Sequence, residues 1–116
     1  MDYMKVIAID FDGTLFTNKY PEIGEPIDFV IRQAKREQES GAKLILWTNR
    51  TGDLLDAAIR ACESVGLHFD AVNESLPEWV AHFENDPRKI GASEYWDDKA
   101  VNLNTIAIRD AYDWVR

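Results

Sequence analysis

The chain is poor in the residues that mark secreted, disulfide-linked or membrane-spanning proteins. It has a single cysteine, Cys62, which can form no internal disulfide and has no cysteine partner for a metal site. No apolar run approaches the ~20 residues needed to cross a bilayer, and the opening Met-Asp-Tyr-Met-Lys lacks the positive cluster of a signal peptide. We therefore expect a cytoplasmic protein with no membrane association.

Positive charge is also scarce. With 13 Lys and Arg against 21 Asp and Glu, the formal net charge is −8 at pH 7. Nonspecific nucleic-acid binding depends mainly on the neutralisation of phosphates by Lys and Arg, so we expect no nucleic-acid partner. A phosphorylated substrate is still compatible with this charge, because a bound cation can reverse the potential inside one pocket.

The length and composition agree with one small domain. The chain has 116 residues, of which 46% are hydrophobic, enough for a single core. It contains no internal repeat, no low-complexity tract and no linker that would divide it. We therefore treat residues 1–116 as one domain.

The most informative stretch lies near the amino terminus. An apolar run at residues 6–9 leads into Asp10 and Asp12, which are followed by Gly13 and Thr14. A run rich in β-branched residues is typical of a strand that is buried on both faces of a parallel sheet. Ligands of such sheets bind beyond the carboxyl ends of the strands, where these two acids fall. For the Asp-Gly pair alone, a strand followed by an ordinary turn would be the favoured interpretation, but the whole string is much rarer.

The rest of the chain alternates between predicted strands and helices. This alternation predicts an α/β fold, a three-layer α/β/α sandwich with a mostly parallel sheet. The predicted strands lie at about residues 5–10, 43–47, 69–72 and 94–96, and the predicted helices at about residues 28–40, 54–65, 77–83 and 103–115.

The string Asp-Phe-Asp-Gly-Thr at residues 10–14 resembles the first motif of the haloacid dehalogenase-like (HAD) superfamily. Three more motifs resemble those of the superfamily and follow in the same order. They are the apolar strand that ends in Thr48, the lone Lys89, and the acidic pair Asp97-Asp98. The resemblance spans residues 5–98, and residues 20–24 and 47–50 are similar in particular to the small capless members.

The resemblance implies a HAD-like Rossmannoid fold and a Mg²⁺-dependent phosphohydrolase that works through an aspartyl-phosphate. Asp10 would be the nucleophile that attacks phosphorus. Asp12 would protonate the leaving oxygen and later activate water. Thr48 would donate a hydrogen bond to a phosphoryl oxygen, and Lys89 would balance negative charge.

The same resemblance implies a magnesium site and a set of substrate contacts. Asp10, the backbone carbonyl of Asp12, Asp97 and Asp98 offer the hard oxygen ligands that suit Mg²⁺, with Asp98 favoured over Asp97 as the direct ligand. The predicted substrate contacts are Gly13, Thr14, Asn49 and Arg50, although Asn49 is about as typical of a turn.

The spacing of the motifs leaves no room for a cap domain. Residues 15–47 hold one helix and one strand, and residues 48–89 hold two helices and a strand, so we expect only a flap at residues 16–26 near the site. The flap is unusually apolar for a freely solvated loop, although such residues can also pack on the core. The last predicted helix carries more apolar surface than we expect one sheet face to cover. We therefore also expect a homo-oligomer, most simply a dimer.

Other interpretations of the same residues are open at this point. Thr48 can simply end a strand, Lys89 can form a solvated basic pair with Arg88, and Asp97-Asp98 can cap a helix. The functional alternatives are a phosphotransferase and a catalytically idle binding or regulatory module. A receiver-like signalling domain is disfavoured, because its acidic pair follows the first strand rather than the last.

Overall fold

The structure is a computed structural model that describes residues 4–115. The predicted elements are all present, and their ends differ from the predicted ones by about two residues at most. In chain order they are β1 (Val6–Ile9), α1 (Asp28–Glu39), β2 (Lys43–Leu46), α2 (Gly52–Ser64), β3 (Ala71–Val72), α3 (Pro77–Phe83), β4 (Glu94–Trp96) and α4 (Leu103–Val115).

The four strands form a parallel sheet in the order β3-β2-β1-β4. β1 is a central strand, which explains why all four of its residues are buried and apolar. Ile9 is in register with Leu46 of β2 and with Trp96 of β4. The segments that follow these three strands therefore leave the sheet at the same edge.

The sheet is covered on both faces, as a three-layer sandwich requires. Alternate strand residues face opposite sides. On one side Ile7 and Ile9 pack with apolar residues of α1 and α2, including Ile31 and Cys62. On the other side β1 and β2 contribute to a smaller cluster, against which Trp79 of α3 packs. The predicted α/β/α architecture is confirmed.

The last helix takes no part in these layers. Residues 103–114 of α4 are all exposed, including Leu103 (80%) and Trp114 (83%). Its apolar side chains were predicted from the sequence to exceed what one sheet face can cover, and in the structure the sheet covers none of them from 103 to 114. No helix within residues 4–115 is long and apolar enough to span a membrane.

The flap at residues 16–26 lies between β1 and α1, and no cap domain is inserted within residues 4–115. Phe16 is buried and stacks on Phe11 with ring centroids 5.0 Å apart, and Ile23 packs against the core. Backbone hydrogen bonds from Thr17 to Glu25 and from Ile27 to Leu15 close its base. Part of the apolar character of the flap therefore reflects packing on the core, while Tyr20 is 58% exposed.

Candidate active site

A cleft opens at the carboxyl edge of the sheet, where the predicted site residues fall. It consists of two adjoining cavities of about 300 and 320 Å³ that share Asp10, Thr48, Asn49 and Asp97. We call them the Arg88 lobe, further lined by Trp47, Asn73, Arg88 and Ile90, and the flap lobe, further lined by Asp12, Asn18, Tyr20, Arg50 and Lys99.

Three carboxylates meet between β1 and β4. One oxygen from each of Asp10, Asp97 and Asp98 lies within 4.8 Å of the others. The sheet brings them together, because the amide of Asp10 donates to the carbonyl of Trp96 and so ties the two strand ends (2.9 Å). An all-oxygen donor set of this kind fits Mg²⁺. Because α4 begins only at Leu103, the acidic pair does not cap it.

Gly13 and Thr14 organise these acids. Gly13 has φ +89°, and a Cβ there would lie 2.3 Å from an oxygen of Asp98, so this close approach requires glycine. The buried Thr14 hydroxyl accepts from the Asp98 amide at 3.1 Å and lies 3.5 Å from both the Asp10 and Asp98 carboxylates. Neither residue lines the two lobes among the residues described, so the geometry favours support of the acids over direct substrate contact.

The carboxyl group of Asp10 has an unusual proton affinity. Its pKa rises from the ordinary 3.8 to about 7, first because burial penalises the charged form and then because of the nearby Asp97 and Asp98. The backbone amide of Phe11 opposes the shift. An acid that resists ionisation beside two others marks a place where a cation would be favourable.

Asp12 is in the opposite situation, although it is only two residues away. Arg50 donates to both of its oxygens at 2.8 Å, from Nε and from Nη2. This bidentate pair is a strong, geometrically fixed contact, and pairing with Asp12 also raises the pKa of Arg50. The predicted general acid is thus held in one orientation by an arginine that the sequence had indicated as a substrate contact.

Arg50 itself is almost inaccessible. It is 1% exposed, and its guanidinium hydrogen bonds are all made within the protein. It borders the flap lobe but has no N–H left to offer a substrate while the flap is in this position. Asn49 is exposed and lines both lobes, which is the placement expected of a substrate contact.

Thr48 lies in the loop after β2, two residues beyond the end of that strand at Leu46. Its amide donates to Oδ1 of Asn73 at 2.8 Å, and its hydroxyl oxygen accepts from the Arg50 amide at 3.1 Å. The hydroxyl proton is therefore still available to donate into the cleft that Thr48 lines. Asn73 can serve as this support because it adopts φ +55°, a conformation that asparagine tolerates.

Lys89 is placed against an aromatic ring and not in the cleft. It is exposed, and its Nζ lies 5.4 Å from the centre of the Tyr95 ring. Among the residues described, Arg88 and not Lys89 lines the cleft. A lysine side chain is long and flexible, so Lys89 would have to leave the Tyr95 ring to approach Asp10.

Comparison with known proteins gives one informative match. The chain is similar to the solved structure of a conserved protein coded by a locus of Bacteroides thetaiotaomicron, with 36% sequence identity. The alignment covers 94% of this chain and 93% of that one, with a TM-score of 0.75. This chain belongs to the family of that conserved protein. No protein-family model and no curated protein matches the chain.

Several residues that line the cleft were not predicted from the sequence. Asn73 follows β3, so its position at the carboxyl edge of the sheet would have been a usable signal. Arg88 precedes β4 and offered no such signal, because the amino-terminal end of a parallel strand lies at the opposite edge. Asn18, Tyr20 and Lys99 offered no such signal, because they reach the cleft through loop conformation.

Proposed function

We propose that the protein is a Mg²⁺-dependent phosphohydrolase of the HAD type that forms an aspartyl-phosphate on Asp10. The observation that carries the proposal is the meeting of Asp10, Asp97 and Asp98 in a cleft that also holds Thr48. A phosphatase of this type needs a nucleophilic carboxylate, a cation site and a hydrogen-bond donor within one small volume. The four ordered motifs of the sequence support the same function.

In the first step an oxygen of Asp10 attacks phosphorus and the bond from phosphorus to the ester oxygen breaks. The leaving oxygen takes a proton from Asp12, which enters this step protonated on a lone pair that Arg50 does not use and leaves it as the carboxylate. In the second step water attacks phosphorus, gives a proton to Asp12 and releases inorganic phosphate from Asp10. Because Asp12 lines only the flap lobe, we place the leaving group in that lobe.

Mg²⁺ fits the carboxylates of Asp10, Asp97 and Asp98, and the family resemblance adds the backbone carbonyl of Asp12. When bound, the ion would offset the negative charge of the carboxylates and of the phosphoryl group. Thr48 would hydrogen-bond a phosphoryl oxygen, and Asn49 would contact the substrate in either lobe. Positive charge would come from Lys89 after it leaves the Tyr95 ring, next to Arg88 at the cleft wall.

The proposal is tested by an activity screen on sugar phosphates, nucleotides, phosphopeptides and p-nitrophenyl phosphate. Phosphate release should require Mg²⁺ and should stop on addition of a chelator. Asp56, an exposed acid of α2, supplies a matched control as Asp56→Asn, which should retain full activity. If none of these esters releases phosphate in the presence of Mg²⁺, the phosphohydrolase proposal is wrong and the catalytically idle binding module is favoured.

We also propose that the protein is cytoplasmic and forms a homo-oligomer. The free thiol of Cys62 is buried and fits a reducing compartment, since no disulfide depends on it. The oligomer rests on the exposed apolar side chains of α4, among them Leu103, Ile108 and Trp114. Light scattering at micromolar protein should give a mass near twice that of the chain, and a monomeric mass would contradict the dimer.

A further inference from the structure

Arg50 is a buried charge close to two aromatic rings. Its guanidinium carbon lies 5.0 Å from the centre of the Phe11 ring and 5.2 Å from that of Tyr20. Burial of a charge is costly unless the charge is fully paired and hydrogen-bonded. A small domain would not keep such a residue in its interior for packing alone, since an apolar side chain would pack there at lower cost.

The hydrogen bonds of Arg50 reach three separate segments. Nε and Nη2 donate to the carboxylate of Asp12, in the turn after β1. Nη1 and Nη2 donate to the carbonyl oxygens of Pro21 (3.1 Å) and Glu22 (2.8 Å), both in the flap. Nη1 also donates to the carbonyl of Leu54 in the first turn of α2 (3.4 Å). All five guanidinium N–H groups are used, in the planar arrangement that lysine cannot reproduce.

We infer that Arg50 is a positioning residue that couples the flap to the acid of the proposed reaction. It fixes the orientation of the Asp12 carboxylate toward the leaving group and, through the same guanidinium, holds the flap over that lobe. If the flap opens, Arg50 loses the carbonyl oxygens of Pro21 and Glu22 as hydrogen-bond acceptors. If Asp12 moves away, Arg50 loses the two oxygens of that carboxylate. This inference rests on the proposed function for its catalytic part, whereas the coupling itself is a property of the fold.

The flap is closed by hydrogen bonds at its base and is held by Arg50 at its tip. Its base is closed by the Thr17–Glu25 backbone hydrogen bond, and the Glu25 amide donates to the Thr17 hydroxyl at 2.9 Å. Gly24 is packed so closely that a Cβ would lie 2.0 Å from the Thr17 carbonyl oxygen. The contacts of Arg50 to Pro21 and Glu22 then hold the tip, so loss of these contacts should release residues 18–22 first.

The catalytic part is tested by leaving groups of different basicity. An alkyl phosphate needs a proton on its leaving oxygen, whereas p-nitrophenolate departs as the anion. Arg50→Lys should therefore lower kcat/KM for an alkyl phosphate by ~10–100-fold, part of the range for general acid–base catalysis, and leave p-nitrophenyl phosphate nearly unchanged. Arg60→Lys, at an exposed position of α2, is the matched control and should change neither rate.

Asp12→Asn should likewise lower kcat/KM for the alkyl phosphate much more than for p-nitrophenyl phosphate. Adding Arg50→Lys to Asp12→Asn should lower kcat/KM little further, because both changes remove the same proton transfer to the leaving group. Equal losses on both esters in Arg50→Lys, or fully additive losses in the double variant, would show that Arg50 only maintains the fold and would overturn the catalytic part.

The coupling is tested without any substrate, by hydrogen exchange of the flap amides. The side chain of Asp12 hydrogen-bonds and ion-pairs with Arg50, while its backbone forms a bridge with Phe16 at the base of the flap. A change confined to the side chain at position 12 therefore reaches the tip of the flap through Arg50. Asp12→Asn should therefore raise the exchange rate of the Glu22 amide at the tip of the flap by about tenfold or more, while the amides of Thr17 at its base and of β1 stay protected. Unchanged flap exchange in Asp12→Asn would overturn the coupling, even if the enzyme proved to be an active phosphatase. Faster flap exchange in a protein without phosphatase activity would instead contradict the proposed function and leave the coupling intact.

Discussion

The two sides of the cleft both hold aspartates, but the charged groups around these aspartates are of opposite sign. Toward β4, Asp10 lies beside Asp97 and Asp98, and its pKa is raised to about 7. Toward β2, Asp12 is matched by the guanidinium of Arg50 through two hydrogen bonds of 2.8 Å. Among the residues that the structure describes, no side-chain cation forms a salt bridge with the three acids, whereas the ion pair of Asp12 with Arg50 is complete.

The two sides should therefore respond differently to an added cation. The β4 side gains from a cation supplied from outside, so its charge state can change with metal and substrate. The β2 side carries its own cation, so its geometry is fixed before any ligand arrives.

The largest effect is expected for Asp10→Asn, which should abolish turnover. The amide is nearly isosteric with the carboxylate but is a poor nucleophile, so the fold should survive. Steady-state kinetics together with circular dichroism check both parts. Asp56→Asn serves as the control for a general effect of removing one charge, and wild-type turnover in Asp10→Asn would contradict covalent catalysis.

Asp12→Asn should reduce kcat by roughly 10²–10⁴-fold, the range typical of general acid–base catalysis. It should also leave the affinity for Mg²⁺ nearly unchanged, because the side chain of Asp12 pairs with Arg50 and lies outside the cluster of three acids. Kinetics and a calorimetric Mg²⁺ titration measure the two effects. A strong loss of Mg²⁺ affinity would show that the two sides are not separate.

Mg²⁺ should stabilise the folded protein by about 2.7 kcal/mol at a hundredfold excess over its Kd, since it binds only the folded state. Thermal melts with Mg²⁺ and with a chelator measure the shift. The shift should shrink in Asp98→Asn and persist in Arg50→Lys. An unchanged wild-type midpoint at metal concentrations that support activity would argue against the acid cluster as the site.

The smallest effect concerns pH in the metal-free protein. Because the pKa of Asp10 is raised from 3.8 to about 7, the folded state holds a proton that the unfolded state has lost between these values. Stability should therefore fall as pH rises from about 4 to about 7, by about 1–2 kcal/mol once solvent screening at this half-exposed site is allowed for. Melts of Asp10→Asn should lack this part of the pH dependence, and an identical slope in both proteins would refute the assignment.

The sequence predicted the fold well because the fold depends on local patterns. The buried run of β1 and the proline at the start of α3 define their elements within a few residues, and the alternation of elements gave the parallel sheet. It also predicted that Asp10 and the acidic pair would share one edge of the sheet, and the observed register of β1 with β4 brings them together.

The sequence could not predict which groups each polar side chain of the cleft contacts. Arg50 was indicated as a substrate contact, yet the conformation of the flap turns the carbonyls of Pro21 and Glu22 toward it. Lys89 and Arg88 are adjacent in the chain, and only the backbone path before β4 decides which of them faces the cleft. Such choices depend on loop geometry rather than on periodicity.

The most direct test of the account is chemical capture of the intermediate. The protein is mixed with p-nitrophenyl phosphate and Mg²⁺, quenched in acid and treated with borohydride, which reduces an acyl phosphate to the alcohol and so converts a phosphorylated aspartate to homoserine. Peptide mass spectrometry should then find homoserine at position 10 and aspartate unchanged at position 12, with no conversion when a chelator replaces Mg²⁺. Turnover of the ester with no conversion at Asp10, or conversion at another acid, would contradict the central claim.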